Sequence, residues 1–362
     1  MPPLSNKLTV PECSPITAAL VGFGSVARNA HIPWYISNPC VQLVAVVEPT
    51  PRGRTLARSV LPNMPVFENL DSLLRSLNVT FVDITAPPLA HAKLILAAVE
   101  AGVDVFCEKP FVTNWQALQE IERVRQHSAP IIASCHNWYF APPIRRCLEM
   151  IDSGLIGEAK FVQFDARRPC PAQGAHHWKP GWRELASEGG GVISDLGYHG
   201  VYLASRIFQT APLSVIANVV IPNNETDRSE QFATLQLEYG EERRAQLNLS
   251  WVDPLRQTKL YVAGTQSNVV IDGDSVRVVS PNDEREERFE SLTADSWHAA
   301  WTSESLDRFV ETIRSRQGDG YWRDIQWCVS TLDAAYTSAK SGICEPIPNS
   351  LSATYLDTVP GF

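Results

Sequence analysis

The chain has no run of about eighteen apolar residues, the length a helix needs to cross a bilayer, which excludes a helical membrane span. None of its eight cysteines form a CxxC pair, so zinc-ribbon and thioredoxin spacings are both absent. It also lacks an excess of positive charge. With 31 Lys and Arg against 40 Asp and Glu, the net charge is -9. That balance argues against bulk attraction to nucleic acid or anionic lipid. The opening MPPLSNKLTVPECSP has no apolar stretch of the kind a secretory signal carries, and residues 1–14 read as a polar leader. No internal repeat or low-complexity tract is present. The expectation is a cytoplasmic protein with reduced thiols and with neither a membrane nor a nucleic-acid partner.

What is present is enough chain for two cores. There are 362 residues, 44% hydrophobic and 20% charged, which suits two ordinary globular domains. Short apolar runs occur at Ile16 to Val21, Gln42 to Val47, Phe81 to Ile84, Val103 to Cys107 and Ile131 to Ala133. Such runs fit strands buried on both faces of a parallel sheet. Helical patterns lie between them, most clearly at Val26 to Ile36, His91 to Ala101 and Trp115 to His127. This alternation predicts βαβ units and a doubly wound Rossmann sheet over residues 15–134.

Beyond about residue 158 the rhythm changes. Phe161 to Ala166, Leu213 to Val220, Phe232 to Leu237, Ala245 to Leu249, Lys259 to Ala263, Asn268 to Ile271 and Val276 to Val279 read as strands. Asp272-Gly273 marks a hairpin. Helices are expected at Asp195 to Ile207, Ser303 to Ser315 and Trp322 to Ser341. The fold class is therefore α/β, with an N-terminal Rossmann sheet and a C-terminal α+β domain on a large, mostly antiparallel sheet. The second domain is placed at 135–346, with substrate binding and oligomerisation as its roles, and 347–362 as a tail.

Three stretches carry candidate chemistry. Gly22-Phe23-Gly24-Ser25-Val26-Ala27 follows the first strand and opens the first helix. Gly22 permits a tight turn, Gly24 lets backbone approach a pyrophosphate, and Ala27 lets helix and strand pack closely. The helix N-terminus offers unpaired N–H groups to the phosphates. Glu48, ending the second strand, would accept hydrogen bonds from ribose hydroxyls. It favours NAD, while Arg52 and Arg54 leave NADP open. Second, Glu108-Lys109-Pro110 ends a strand, where ligands bind in open α/β sheets. Pro110 biases Lys109 towards extended backbone. From there its ammonium can stabilise an alkoxide. Third, Gly189-Gly190-Gly191 precedes Asp195 and His199, which share one helix face. The glycines can bring backbone close to a bulky ligand. His199 can accept a proton as hydride leaves, and Asp195 can hold that imidazole or a second hydroxyl. Each stretch alone also has a plain reading: a glycine turn without ligand, a solvated Glu-Lys pair, a wet helix face.

The order of the three stretches changes this. GFGSVA, His31-Ile32-Pro33, the APPLAH segment ending at His91, CEKP and GGGVISDLGYH together resemble the glucose–fructose oxidoreductase, inositol dehydrogenase and rhizopine-catabolism (Gfo/Idh/MocA) family. The resemblance runs from about Ile16 to Pro346. It implies that Lys109, Asp195 and His199 line the reaction site, with His199 as general acid/base and Lys109 polarising the reacting oxygen. It implies further cofactor contacts at Thr85, Pro87, His91 and Glu108. It also implies a homo-oligomer, dimer or tetramer, paired through the exposed sheet face. Asn137, Trp138, Tyr139, Trp178, Trp182 and Arg183 fall in segments that approach the family's substrate pocket. Their flat faces suit sugar or polyol rings, although each is as readily a core residue. Ala27 in place of the third glycine, the longer leader and the tryptophan-rich middle are departures. His176-His177 lacks supporting ligands at metal spacing, so no metal is expected. The activity implied is a nicotinamide-dependent oxidoreductase moving hydride between NAD(P) and a carbinol or carbonyl carbon of a sugar, cyclitol or related polyol. Two alternatives stand beside it: glycoside cleavage through transient oxidation without net redox, and a non-catalytic dinucleotide or sugar sensor.

Overall fold

The computed structural model describes residues 16–125, 130–172, 181–222, 227–290, 292, 297–317 and 320–348. Six strands form one parallel sheet: β1 (Ile16–Val21), β2 (Val41–Val47), β3 (Val66–Phe67), β4 (Phe81–Ile84), β5 (Asp104–Cys107) and β6 (Ile132–Ser134). Their order is β3-β2-β1-β4-β5-β6, that of a dinucleotide-binding sheet whose strand order reverses between β1 and β4. β4 and β5 are buried at every position. A sheet sandwiched between helices needs apolar residues on both faces, so these strands do not alternate; the one polar residue of each, Asp83 and Asp104, is buried and hydrogen-bonded.

Nine strands form the second sheet: β7 (Ala159–Arg167), β8 (Ser214–Val220), β9 (Phe232–Gly240), β10 (Arg243–Ser250), β11 (Gln257–Gly264), β12 (Asn268–Asp272), β13 (Ser275–Ser280), β14 (Asp283–Arg288) and β15 (Glu345–Pro346). Their order is β14-β13-β12-β11-β7-β10-β9-β8-β15. Only β7 and β10 pair in parallel; the other neighbours run antiparallel. β12 and β13 meet in the expected hairpin, with Asp272 opposite Ser275. Burial alternates along β9, as a sheet packed on one face requires.

Several elements were not expected from the sequence. β14 is Asp-Glu-Arg-Glu-Glu-Arg, without an apolar residue. It forms at the sheet edge because β13 supplies the ladder and Arg277 and Ser275 bond Glu284 and Glu286 across it. The helices Pro51–Val60 and Leu70–Ser76 bury only one and two residues respectively. Each has a side-chain cap: Thr50 on the Gly53 N–H and Asn69 on the Ser72 N–H. The helix Ala299–Ser315 was expected from Ser303 onward, but not its place: far along the chain, it packs against the first sheet. Its Phe309 ring lies 5.3 Å from Phe81 and 5.4 Å from Phe106, and Asp307 accepts from Trp34 Nε1 at 2.8 Å. Among the described residues, no helix is long and apolar enough to cross a membrane.

Candidate active site

The glycine loop turns sharply after β1. Gly22 has φ of +98°, and a Cβ there would lie 2.9 Å from the Ala86 nitrogen and 3.0 Å from the Thr85 carbonyl. Thr85 locks the turn by donating its hydroxyl to the Gly22 carbonyl at 2.9 Å. Gly24 is exposed, and a Cβ there would meet nothing within 4 Å. The loop is thus closed towards the protein at Gly22 and open outward at Gly24. Ser25 and Val26 are half-buried behind it, and Ala27 is fully buried against the sheet. Glu48 folds back over the loop. Its carboxylate accepts from Phe23 N–H at 3.1 Å and from the Thr50 N–H and hydroxyl at 2.9 and 2.6 Å. An open backbone cradle beside a carboxylate at the end of β2 fits a dinucleotide, phosphates on the loop and ribose hydroxyls on the acid. Arg52 is exposed on the following helix. Arg54 is taken up by the carbonyls of Glu48 and Pro49 and by Glu68.

Not every residue tied to the cofactor faces outward. His91 is fully buried, with Nδ1 3.0 Å from the Pro110 and Phe111 carbonyls and Nε2 2.8 Å from the Ala86 carbonyl. Neither ring nitrogen is left for a ligand. His91 instead ties the segment after β4 to the turn after β5, leaving Pro87 exposed between them. Glu108 also points inward. It takes His31 Nε2 at 3.1 Å, while His31 Nδ1 contacts Asp83 at 2.9 Å. Burial alone would lower the His31 pKa, but the two carboxylates outweigh it and push it up to about 10. Burial opposes ionisation of Glu108 too, yet His31 and Lys109 hold its carboxyl below the usual range.

Lys109 follows β5, and the Lys109–Pro110 peptide is cis. Its Nζ donates to Asp195 Oδ1 at 2.8 Å and to the Asp195 carbonyl at 2.9 Å. Arg183 Nε donates to the same Oδ1 at 3.0 Å, and its guanidinium lies 4.4 Å from the Trp182 ring centre. Burial would raise the Asp195 pKa, but the two cations hold its carboxyl well below the ordinary range. Asp195 sits in a π-helical turn, Ile193–Gly197, which runs into the helix Tyr198–Phe208. Such one-turn insertions re-aim side chains and gather at functional sites. Leu196, Tyr198, Val201 and Leu203 seat the helix in the core. Gly200 lets it press against Phe164 and Leu247 of the second sheet.

His199 is buried one turn beyond Asp195. Its ring stacks on Trp138 at 4.7 Å, and Nδ1 lies 2.9 Å from Tyr202 Oη. Burial first, then Lys109, push its pKa well below the ordinary value, and Asp195 opposes them only in part. The imidazole is therefore neutral at physiological pH.

The glycine run does something other than expected. A Cβ at Gly190 would strike the Trp182 and Arg183 carbonyls, and one at Gly191 would strike the Glu230 carboxylate. The close approach is to the protein itself, backbone at Gly190 and a carboxylate at Gly191, and at Gly190 it packs the run against the segment whose Arg183 bonds Asp195. Glu230 accepts from Ile193 N–H at 2.9 Å and from the Tyr336 hydroxyl at 3.1 Å. Burial pushes its pKa up to about 7.

Of the aromatic middle, Tyr139 is core: its hydroxyl donates to the Tyr202 carbonyl at 3.0 Å and to Asp324 at 3.2 Å. Asn137 is half-buried and bonds Thr302 at 3.4 Å. Trp182 and Arg183 remain partly exposed at the site. Trp178, His176 and His177 lie outside the described residues. Among the described residues, no group of three or more His, Cys, Asp or Glu could hold a metal ion. Tyr202, His136 and Glu230 were not anticipated, because nothing in their spacing links them to the site before the chain folds.

Comparison with known proteins follows the same division. Residues 16–132 match the model of an oxidoreductase family with an NAD-binding Rossmann fold. Residues 144–270 match the GFO/IDH/MocA C-terminal domain. An uncharacterized oxidoreductase of Schizosaccharomyces pombe is 28% identical over 57% of this chain and 55% of its own length. The D-glucoside 3-dehydrogenase of Escherichia coli is 26% identical over 51% of this chain and 52% of its own. The chain thus spans about half the length of these relatives. An oxidoreductase from Agrobacterium radiobacter, solved in complex with NAD+, L-tartaric acid and magnesium, shares the fold with a TM-score of 0.80 at 19% identity, over 92% of this chain and 98% of that one. With both halves matched in order, the chain belongs to the Gfo/Idh/MocA oxidoreductase family, and its first domain is an NAD-binding Rossmann domain.

Proposed function

We propose that this protein transfers hydride between NAD and a carbinol or carbonyl carbon of a sugar, cyclitol or related polyol. The observation that carries the reading is the Lys109–Asp195–Arg183 cluster at the end of β5, with His199 one turn further along the same helix as Asp195. Gly22 to Ala27 and Glu48 would hold the cofactor, which supplies the hydride acceptor or donor when bound. Lys109 meets the reacting oxygen and stabilises negative charge on it. Asp195, permanently anionic, holds Lys109 and can accept from a second substrate hydroxyl. Arg183 keeps that carboxylate ionised and, with Trp182, offers a rim to a polar ring. The proton that the reacting oxygen gains or loses passes through Lys109 or His199, the two groups able to meet it.

The test is an absorbance screen at 340 nm with NAD or NADP and a panel of sugars, inositols and sugar acids. A signal with one substrate that disappears in Lys109→Ala supports the reading. Silence, with cofactor still bound after purification, moves weight to glycoside cleavage by transient oxidation. Silence with no cofactor binding overturns both. The same reading carries a homo-oligomer paired across the open face of the nine-stranded sheet. There Gln163, Gln246 and Tyr261 are half-exposed, and mass by light scattering would test it.

A further inference from the structure

We infer that Tyr202 fixes His199 as the tautomer with its proton on Nε2, so that His199 meets a substrate oxygen as a hydrogen-bond donor and not as a base. The inference rests on the hydride-transfer reading for its consequence, though not for its test.

The argument is one of hydrogen accounting. Tyr202 is 1% exposed. Its Oη receives the backbone N–H of Trp138 at 3.2 Å, and a backbone amide can only donate. The hydroxyl proton must therefore point elsewhere. Among the described residues, the one other partner of Oη is His199 Nδ1, at 2.9 Å. If Nδ1 carried the proton, Oη would accept twice and its own hydrogen would be buried without an acceptor, which is costly. With Tyr202 donating, every group is satisfied. Nδ1 is then an acceptor, and a neutral imidazole carries its single proton on the other nitrogen. Nε2 has no hydrogen bond among the described residues.

The ring cannot easily turn away from this arrangement. Trp138, whose N–H pins the Tyr202 hydroxyl, also stacks its indole on the His199 ring at 4.7 Å and 20°. One short segment, Asn137–Phe140, thus sets both the plane of the imidazole and the direction of its partner. The other histidines nearby do not compete for the hydroxyl. His136 lies 4.5 Å from the Tyr202 ring but gives Nε2 to Tyr198 Oη. His298 stacks on Trp301 at 3.8 Å. Burial and Lys109 keep His199 neutral, as the tautomer argument requires.

A neutral Nε2–H polarises a carbonyl without becoming charged. Proton exchange with the reacting oxygen then falls to Lys109, whose ammonium becomes a neutral amine as the carbonyl oxygen becomes a hydroxyl.

The experiment is nitrogen NMR on the full chain labelled with 15N-histidine near pH 7.5, read through long-range proton–nitrogen correlations. The His199 pattern is identified by its loss in His199→Gln or His199→Asn. The expected result is a pyrrole-type Nε2 and an imine-type Nδ1 in the parent protein, with that preference weakened or reversed in Tyr202→Phe. An Nδ1–H or doubly protonated ring in the parent protein overturns the proposal. So does an unchanged pattern in Tyr202→Phe. No substrate is needed, so a silent activity screen alongside the expected pattern would count against the hydride-transfer reading alone.

Discussion

Lys109 Nζ and Asp195 Oδ1 stand 2.8 Å apart and join the two sheets of the molecule, one residue from the end of β5 and the other from a π-helical turn packed on the second sheet. Asp195 is 4% exposed and serves two cations, so its removal leaves both without a counter-charge. Asp195→Asn is expected to lower stability by about 3 kcal/mol. It should also cut turnover about 100-fold on any substrate found by the screen, with cofactor affinity changed less than about twofold. Equal losses of cofactor affinity and turnover would mean that the pair holds the domains and not the chemistry.

The two loop glycines should respond differently to alanine. Gly22→Ala places a Cβ at positive φ against backbone and should cost about 2 kcal/mol of stability, with loss of NAD binding. Gly24→Ala has open space and should leave the melting temperature unchanged while weakening NAD binding. Thermal unfolding and calorimetric titration separate the two. A Gly24→Ala protein that binds NAD normally would remove the cradle from this loop.

Glu48 has neutral donors on its carboxylate and lies where ribose hydroxyls would arrive. Glu48→Ala is expected to weaken NAD binding by roughly tenfold and to raise the NADP-to-NAD affinity ratio, since a negative charge facing a 2′-phosphate has gone. A ratio that does not move would place the selectivity with Arg52 or elsewhere.

His31 gives a prediction in pH. Its pKa is about 10 in the folded protein against 6.5 for an unperturbed histidine. A raised value means that the folded state holds a proton the unfolded chain has lost. The resulting stability is complete below about 6.5 and disappears as pH rises through 10, with a slope of up to about 1.4 kcal/mol per pH unit. Unfolding midpoints from pH 6 to 10 should fall more steeply in the parent protein than in His31→Gln. Parallel curves would mean a neutral His31 between its two carboxylates.

Sequence patterning was most informative where burial was two-sided. β1, β4 and β5 are mostly apolar because both faces are covered, with Thr17, Asp83 and Asp104 as their polar members, and their ends lie within a residue of the apolar runs. β14 was missed because an edge strand without one apolar residue leaves no run to read, and the helix Pro51–Val60 because it buries Ala57 alone. At the site, GFG and EKP were legible as residue types with fixed local geometry. The inward turn of Glu108 and His91 was not, since it depends on His31 and on carbonyls from distant segments.

The sequence alone determined which groups are available: a glycine turn before a helix, an acid at a strand end, a lysine before proline, and a carboxylate and an imidazole one helical turn apart. These follow from local sterics and helical period. Tertiary structure decided their states. Asp195 is anionic because Lys109 and Arg183 converge on it from separate segments. His199 is neutral because the fold buries it under Trp138 beside that lysine. The charge of a buried group depends on what surrounds it in space, and only the folded chain brings those neighbours together.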